Sequence, residues 1–257
     1  MQRFAFPSYR IRYGAHRDPD RRTAAPNVTE QLVFDLAVPE PPSFGNFVPR
    51  GNAEALAAVM ALAAGDVGET GVLLWGAPGA GKTHLLRAAV AAVEARGRRA
   101  SFVDARELTA QDPAELAPHD LVAIDGIDLA SPEAQAGAFT IFNGLRDRGG
   151  HLLFASRKPL AALSMREDLR TRIGWGLVYE VSPLADADKA EALAAYARGR
   201  GFRLADDVIH YLLAHGRRDM SALVGALAAL DRHSLATKRP ITVPLVRAWL
   251  QPDIDLD

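Results

Sequence analysis

The chain has no cysteine, so disulfides, thiolate metal sites and a cysteine nucleophile are all excluded. It also lacks any apolar run of about eighteen residues, the length a membrane-spanning helix requires, and no charged, apolar, small-residue signal opens it. The sequence therefore reads as a cytoplasmic protein with no membrane partner. A surplus of charge is missing as well. Thirty Lys and Arg against 31 Asp and Glu leave a net charge of −1, and the isoelectric point is about 6.7. That balance excludes a protein that coats nucleic acid by bulk electrostatics, so any DNA contact is expected to be mainly indirect. Lysine is scarce, at four of the thirty basic residues.

One of those four lysines sits in the most informative segment. Residues 76 to 83 read Gly76, Ala77, Pro78, Gly79, Ala80, Gly81, Lys82 and Thr83, the pattern of a loop that cradles phosphates. Val72 to Trp75 before it form a short apolar run suited to a buried strand, and Leu85, Leu86, Ala89, Val90 and Val93 behind it recur at helical spacing. Glycines let backbone amides approach an anion without a Cβ in the way, and the following helix adds its positive end. In such a loop Lys82 neutralises the β and γ phosphates and Thr83 offers its hydroxyl to Mg²⁺. A compact ammonium suits this place where a planar guanidinium would not. The expected ligand is ADP or ATP, with His84 and the loop residues as its contacts. A plain glycine turn between strand and helix is the bland alternative.

Strand-like runs alternate with helical patterns from Gly71 onward, the signature of an α/β fold with a parallel sheet and crossover helices. The expected strands are Val72 to Trp75, Ala100 to Asp104, Leu121 to Asp125, His151 to Ala155 and Leu177 to Val181, a five-stranded sheet. Ser131 and Pro132 start a helix that Gly149 and Gly150 stop. After Pro183 four helical stretches follow, near 186 to 198, 205 to 214, 219 to 235 and 243 to 250, and make a small all-α lid. The expected domains are an Arg-rich flexible tail over 1–28, a linker segment over 29–40, a nucleotide-binding α/β domain over 41–183 and the helical lid over 184–257. The tail carries Arg3, Arg10, Arg12, Arg17, Arg21 and Arg22 among Pro, Gly and polar residues. An over-extended start site would give the same composition.

Leu121 to Asp125 is an apolar strand ending in a carboxylate, as an acid that orients Mg²⁺ beside the loop requires. Asp125 is thus a second candidate metal residue with Thr83. The next residue is Gly126, which has no side chain where hydrolysing relatives carry an acid that polarises water. Asp128 would substitute only if the turn curled it back, so slow intrinsic hydrolysis is expected. Ser156 closes the fourth strand, where a polar γ-phosphate sensor sits, or merely ends a strand. Arg172 lies just before the last strand and is placed to reach a neighbouring subunit's phosphates, or is a surface arginine. Arg218 precedes a lid helix and either folds over the nucleotide or caps that helix in solvent.

Together these residues resemble the AAA+ ATPases, and within them the core of the bacterial initiator DnaA. The similarity spans about residues 40 to 250. Pro42 to Val48 is similar to the family's adenine-side segment, which adds Val48 to the nucleotide contacts. Arg172-Ile173-Gly174-Trp175-Gly176 is similar to its arginine-finger box. Two departures stand out: the chain stops at Asp257 without the DNA-reading helix-turn-helix domain of DnaA, and Gly126 replaces that family's acid. A third feature is Gln31-Leu32-Val33-Phe34-Asp35-Leu36. Its alternation puts Leu32, Phe34 and Leu36 on one face and frees the Gln31 amide. It resembles the short peptides that dock into the groove of the bacterial sliding clamp, and an edge strand is the alternative.

The combination resembles the Hda family of DnaA homologues. That resemblance implies a nucleotide-bound AAA+ module tethered to the DNA-loaded DNA polymerase III β sliding clamp at the replisome. Its implied activity is to stimulate hydrolysis of DnaA-bound ATP through Arg172 in trans, and so to restrain replication initiation, with little ATPase of its own. The partners implied are DnaA and the clamp on DNA, and a homodimer is left open. The competing reading is an autonomous DnaA-like AAA+ ATPase such as a helicase loader.

Overall fold

The computed structural model describes residues 41–108, 113–217 and 219–250. Among them run β1 (Gly71–Trp75), β2 (Ala100–Asp104), β3 (Leu121–Asp125), β4 (His151–Ser156) and β5 (Leu177–Glu180). They form one five-stranded sheet in the order β2-β3-β4-β1-β5, and every pairing is parallel. The central strands are near-continuous apolar runs because a parallel sheet is covered on both faces. Their two-residue period still sorts side chains. Leu73, Val122, Ile124, Leu152 and Phe154 enter one core cluster, while Val72, Leu74, Leu121, Ala123, Leu153 and Ala155 enter the other.

Helices α1 (Ala53–Ala64) and α2 (Lys82–Glu94) cover the second face, with Val59, Leu62, Leu85, Leu86 and Val93 inward. Helices α3 (Pro113–Leu116), α4 (Pro132–Arg148) and α5 (Glu167–Gly174) cover the first, with Ile141, Phe142, Leu145, Leu169 and Ile173 inward. The start of α4 is set by Ser131, whose hydroxyl accepts the Ala134 N–H at 3.1 Å, and its end by left-handed Gly149. Both signals were legible in the chain. Helix α1 was not anticipated: its sequence AEALAAVMALAA is apolar nearly all round, so it offers little periodicity. The strands match the sequence reading to within one residue. Val181 falls just past β5 but still donates its N–H to the Trp75 carbonyl at 2.7 Å.

Helices α6 (Asp186–Gly199), α7 (Asp206–His215), α8 (Met220–Thr237) and α9 (Val243–Leu250) build a third cluster around Leu193, Leu212, Leu223, Leu227, Leu230 and Val246. Asp219 caps α8 by accepting the Ala222 N–H at 2.8 Å. Among the described residues no helix is long and apolar enough to cross a membrane.

Parallel strands bring all their C-terminal ends to one edge. Trp75, Asp104, Asp125 and Ser156 therefore stand side by side in registers that pair Asp104 with Asp125 and Trp75 with Ser156. Such an edge is where open α/β sheets bind ligands. The segment leading into α1 is fastened to it by Asn52, which is 3% exposed. Its Nδ2 donates to the Ser182 carbonyl at 2.9 Å and its Oδ1 accepts the Ser182 N–H at 2.8 Å. Asn52→Ala leaves both backbone groups unpaired, and is expected to destabilise the fold by about 2–4 kcal/mol, read as a lowered urea midpoint with unchanged slope.

Candidate nucleotide site

The loop between β1 and α2 owes its shape to glycines that tolerate no Cβ. At Gly76 (φ 151°) a Cβ would lie 2.2 Å from the Val181 carbonyl oxygen, and at Gly81 (φ 102°) it would lie 2.8 Å from Phe47 Cε2. The loop is thus wedged between the chain leaving β5 and the aromatic ring of the 42–48 segment. Lys82, 8% exposed, donates from Nζ to the Gly76 carbonyl at 2.7 Å and the Ala77 carbonyl at 2.8 Å. Gly76 and Ala77 hold the lysine and do not line the cavity. Burial lowers the Lys82 pKa; the Asp125 and Asp128 carboxylates pull it back up, and the Arg157 guanidinium adds to the lowering. The N–H groups of Gly81, Lys82 and Thr83 have no acceptor among the described residues, as the first turn of a helix leaves them.

Thr83 Oγ1 donates to Asp125 Oδ2 at 2.6 Å. This brings together the hydroxyl and carboxylate that the sequence paired as metal residues. A cavity of about 930 Å³ opens in front of them. Its wall includes Val48, Pro78, Gly79, Ala80, Gly81, Lys82, Thr83, His84, Asp125 and Ser156 from the sequence reading. Leu184, Lys189, Ala192, Tyr196, Met220 and Val224 close it from the lid side. The volume, the free amides, the buried ammonium and the hydroxyl-carboxylate pair all fit a nucleotide with its phosphates on the loop.

His84 donates from Nε2 to the Ser43 carbonyl at 2.9 Å, the oxygen being able only to accept, and its ring tilts against Phe47 at 5.7 Å. Burial pushes this imidazole below its ordinary range, which keeps it neutral at pH 7. Ser43 in turn caps the short turn Phe44–Asn46 through a reciprocal pair with Asn46. The 42–48 segment is a preformed wall.

Two further expected residues, Ser156 and Arg172, lie within the described residues. The Ser156 hydroxyl is 1% exposed and spends itself on its own turn, donating to the Lys158 carbonyl at 2.8 Å and accepting the Lys158 N–H at 3.0 Å. Arg172 lies in the last turn of α5 and does not line the cavity; its guanidinium stacks on Trp175, 4.2 Å from the ring centre. Arg218 and the segment Gln31, Leu32, Phe34 and Leu36 lie outside the described residues. Gly126 is left-handed at φ 72°, and Asp128 two residues on is bonded to Arg157, accepting its Nε–H at 2.7 Å. Sequence reasoning missed Arg157, Asp104 and Arg106, which also line the cavity. Arg157 and Asp128 are 29 residues apart, so no local pattern could pair them.

Residues 40–180 match the family model of the bacterial DnaA ATPase domain, and residues 186–250 that of the Hda lid domain. Among solved structures the fold resembles domain III of the Thermotoga maritima initiator DnaA, at 20% identity over 84% of this chain and 98% of that one, with a TM-score of 0.68. AMPPCP-bound DnaA from Aquifex aeolicus is 22% identical over 77% of this chain and 69% of its own, with a TM-score of 0.62. A Thermotoga maritima RuvB variant is 18% identical over 84% and 73%, with a TM-score of 0.59. At these identities the structural likeness carries the fold, an AAA+ sheet with a helical lid. The family matches carry the membership: this chain belongs to the bacterial DnaA ATPase-domain family, as an Hda-like DnaA homologue.

Proposed function

We propose that this protein is a nucleotide-bound negative regulator of replication initiation that completes a hydrolytic site on DnaA. The observation that carries the reading is the position of Arg172. It stands outside the wall of the chain's own cavity, on an indole that is 55% exposed, while Gly126 leaves the cavity without an acid directly after Asp125. Turned away from its own nucleotide site, Arg172 is available to a phosphate on another molecule.

In the chain's own pocket Lys82 and the amides of Gly81, Lys82 and Thr83 would hold the phosphates of ADP or ATP. The 42–48 segment and the lid would hold the base between them. Thr83 and Asp125 would hold Mg²⁺, which supplies charge neutralisation at the β and γ phosphates. Bound there, the nucleotide bridges sheet and lid and has a structural role. Support comes from the AMPPCP carried by a DnaA of the same fold and from the Hda-type lid.

Arg172 then offsets the charge that develops on the phosphoryl group transferred to water in DnaA, a contribution worth about 10³ to 10⁵ in rate for arginine fingers. Gln31, Leu32, Phe34 and Leu36 anchor the chain in the groove of the β sliding clamp, which raises its effective concentration beside DNA-bound DnaA. The product is ADP-DnaA, and the work is cytoplasmic, at the replisome.

Three outcomes are expected. Lys82→Ala abolishes binding of a fluorescent ADP analogue, measured by equilibrium anisotropy. In a reconstitution of clamp, DNA and ATP-DnaA, Arg172→Ala abolishes stimulated hydrolysis while retaining nucleotide and clamp binding; a variant as stimulatory as wild type would refute the finger. Gln31→Ala and Leu32→Ala are lost from a clamp pull-down that retains wild type, and equal retention of all three would remove the anchor.

A further inference from the structure

Asp128 and Arg157 form a pair that neither the loop nor the finger accounts for. Asp128 lies in the short turn Ile127–Leu129 after β3, and Arg157 follows the last residue of β4 directly. The carboxylate is 2% exposed, and it accepts two bonds from one residue: the Arg157 backbone N–H on Oδ1 at 3.1 Å and the Arg157 Nε–H on Oδ2 at 2.7 Å. Burial by itself raises the Asp128 pKa, yet the two bonds from Arg157 outweigh it and the net direction is down. The carboxylate stays ionised and occupied.

That attachment uses one edge of the guanidinium. Its Nη groups have no hydrogen-bond partner among the described residues, the side chain is 51% exposed, and it lines the cavity with Lys82, Thr83 and Asp125. Strand β4 lies between β3 and β1, and the residue after it faces the same cavity as Lys82 and Thr83. The Lys82 ammonium is close enough to be perturbed by Arg157. Two cations, one held by carbonyls and one by a buried carboxylate, thus face the same cavity with donors left for an anion.

The geometry points to Arg157 as the contact in this pocket that recognises the terminal phosphate of a nucleoside triphosphate, with Asp128 as its positioning residue. This inference rests on the nucleotide reading above and moves the sensing role from Ser156, whose hydroxyl is consumed by its own turn, to the next residue. It also removes Asp128 as a substitute acid: an ionised carboxylate with one oxygen on the Arg157 backbone N–H and the other on its guanidinium is not free to accept a proton from water. A phosphate contact by Arg157 adds affinity for ATP and little for ADP, so the pocket distinguishes the two.

The test is equilibrium titration of the full chain with ADP and with AMPPCP, followed by calorimetry. Arg157→Ala is expected to weaken AMPPCP by about tenfold or more, the range of hydrogen bonds to charged groups, and to change ADP by less than about twofold. Arg157→Gln, which keeps a polar side chain of similar length, shows the same selective loss and stands in if the alanine variant fails to fold by circular dichroism. Asp128→Asn shows a smaller loss in the same direction. Equal weakening of both nucleotides, or unchanged AMPPCP binding in the arginine variants, overturns the inference while the nucleotide reading survives. Unchanged selectivity in Asp128→Asn overturns the positioning role. Failure of wild type to bind either nucleotide overturns both readings.

Discussion

The 2.6 Å hydrogen bond from Thr83 to Asp125 is the contact around which the candidate site is built. It joins the first turn of α2 to the end of β3, across the gap left by β4. It is available because a parallel sheet delivers every C-terminal strand end to one edge. The loop above it can hold a buried ammonium only because Gly76 and Gly81 let neighbouring atoms in where a Cβ would collide. Removing the sheet order, the glycines or the Asn52 fastening would disperse the same residues without changing their chemistry.

Three arginines show how one side-chain type is set to different tasks by its support. Arg50 reaches the lid through Asp188 and Glu191, but it is 54% exposed. Such surface pairs contribute little, so they are a weak determinant of the lid angle. Arg157 is fixed by a carboxylate that water does not reach. Arg172 has no carboxylate partner among the described residues; it rests on the π-face of Trp175 and lies 5.6 Å from the Phe139 ring. An aromatic platform holds a guanidinium in place and leaves all its donors free, whereas an ion pair occupies at least one of them. That difference is why the outward arginine, and not the abundant paired ones, is assigned to a partner's phosphate.

The sheet was legible in the chain because strands buried on both faces are short apolar runs bounded by turn residues, and the loop because Gly76 to Thr83 is specific in itself. The cap at Ser131 and the stop at Gly149 were legible for the same local reason. What escaped was non-local or lacked contrast. Helix α1 is too uniformly apolar to show a period. Nearness to Asp125 in sequence suggests Asp128 as an acid, whereas its partner comes from the end of another strand. A place at a strand end suggests Ser156 as a sensor, and only the geometry of its hydroxyl reveals that it bonds to Lys158. Conversely, left-handed Gly126 explains more than a missing acid: the turn that buries Asp128 starts from that conformation.

The central claim is that this cavity keeps a nucleotide without consuming it, so that Arg172 can act elsewhere. The most direct measurement is single-turnover hydrolysis of labelled ATP by the purified chain in excess, with no DnaA present. The account predicts bound ATP that decays more slowly than about one turnover per minute, far below the range of about 1 to 10³ s⁻¹ in which enzymes ordinarily work. Hydrolysis within that ordinary range by the chain alone would contradict it.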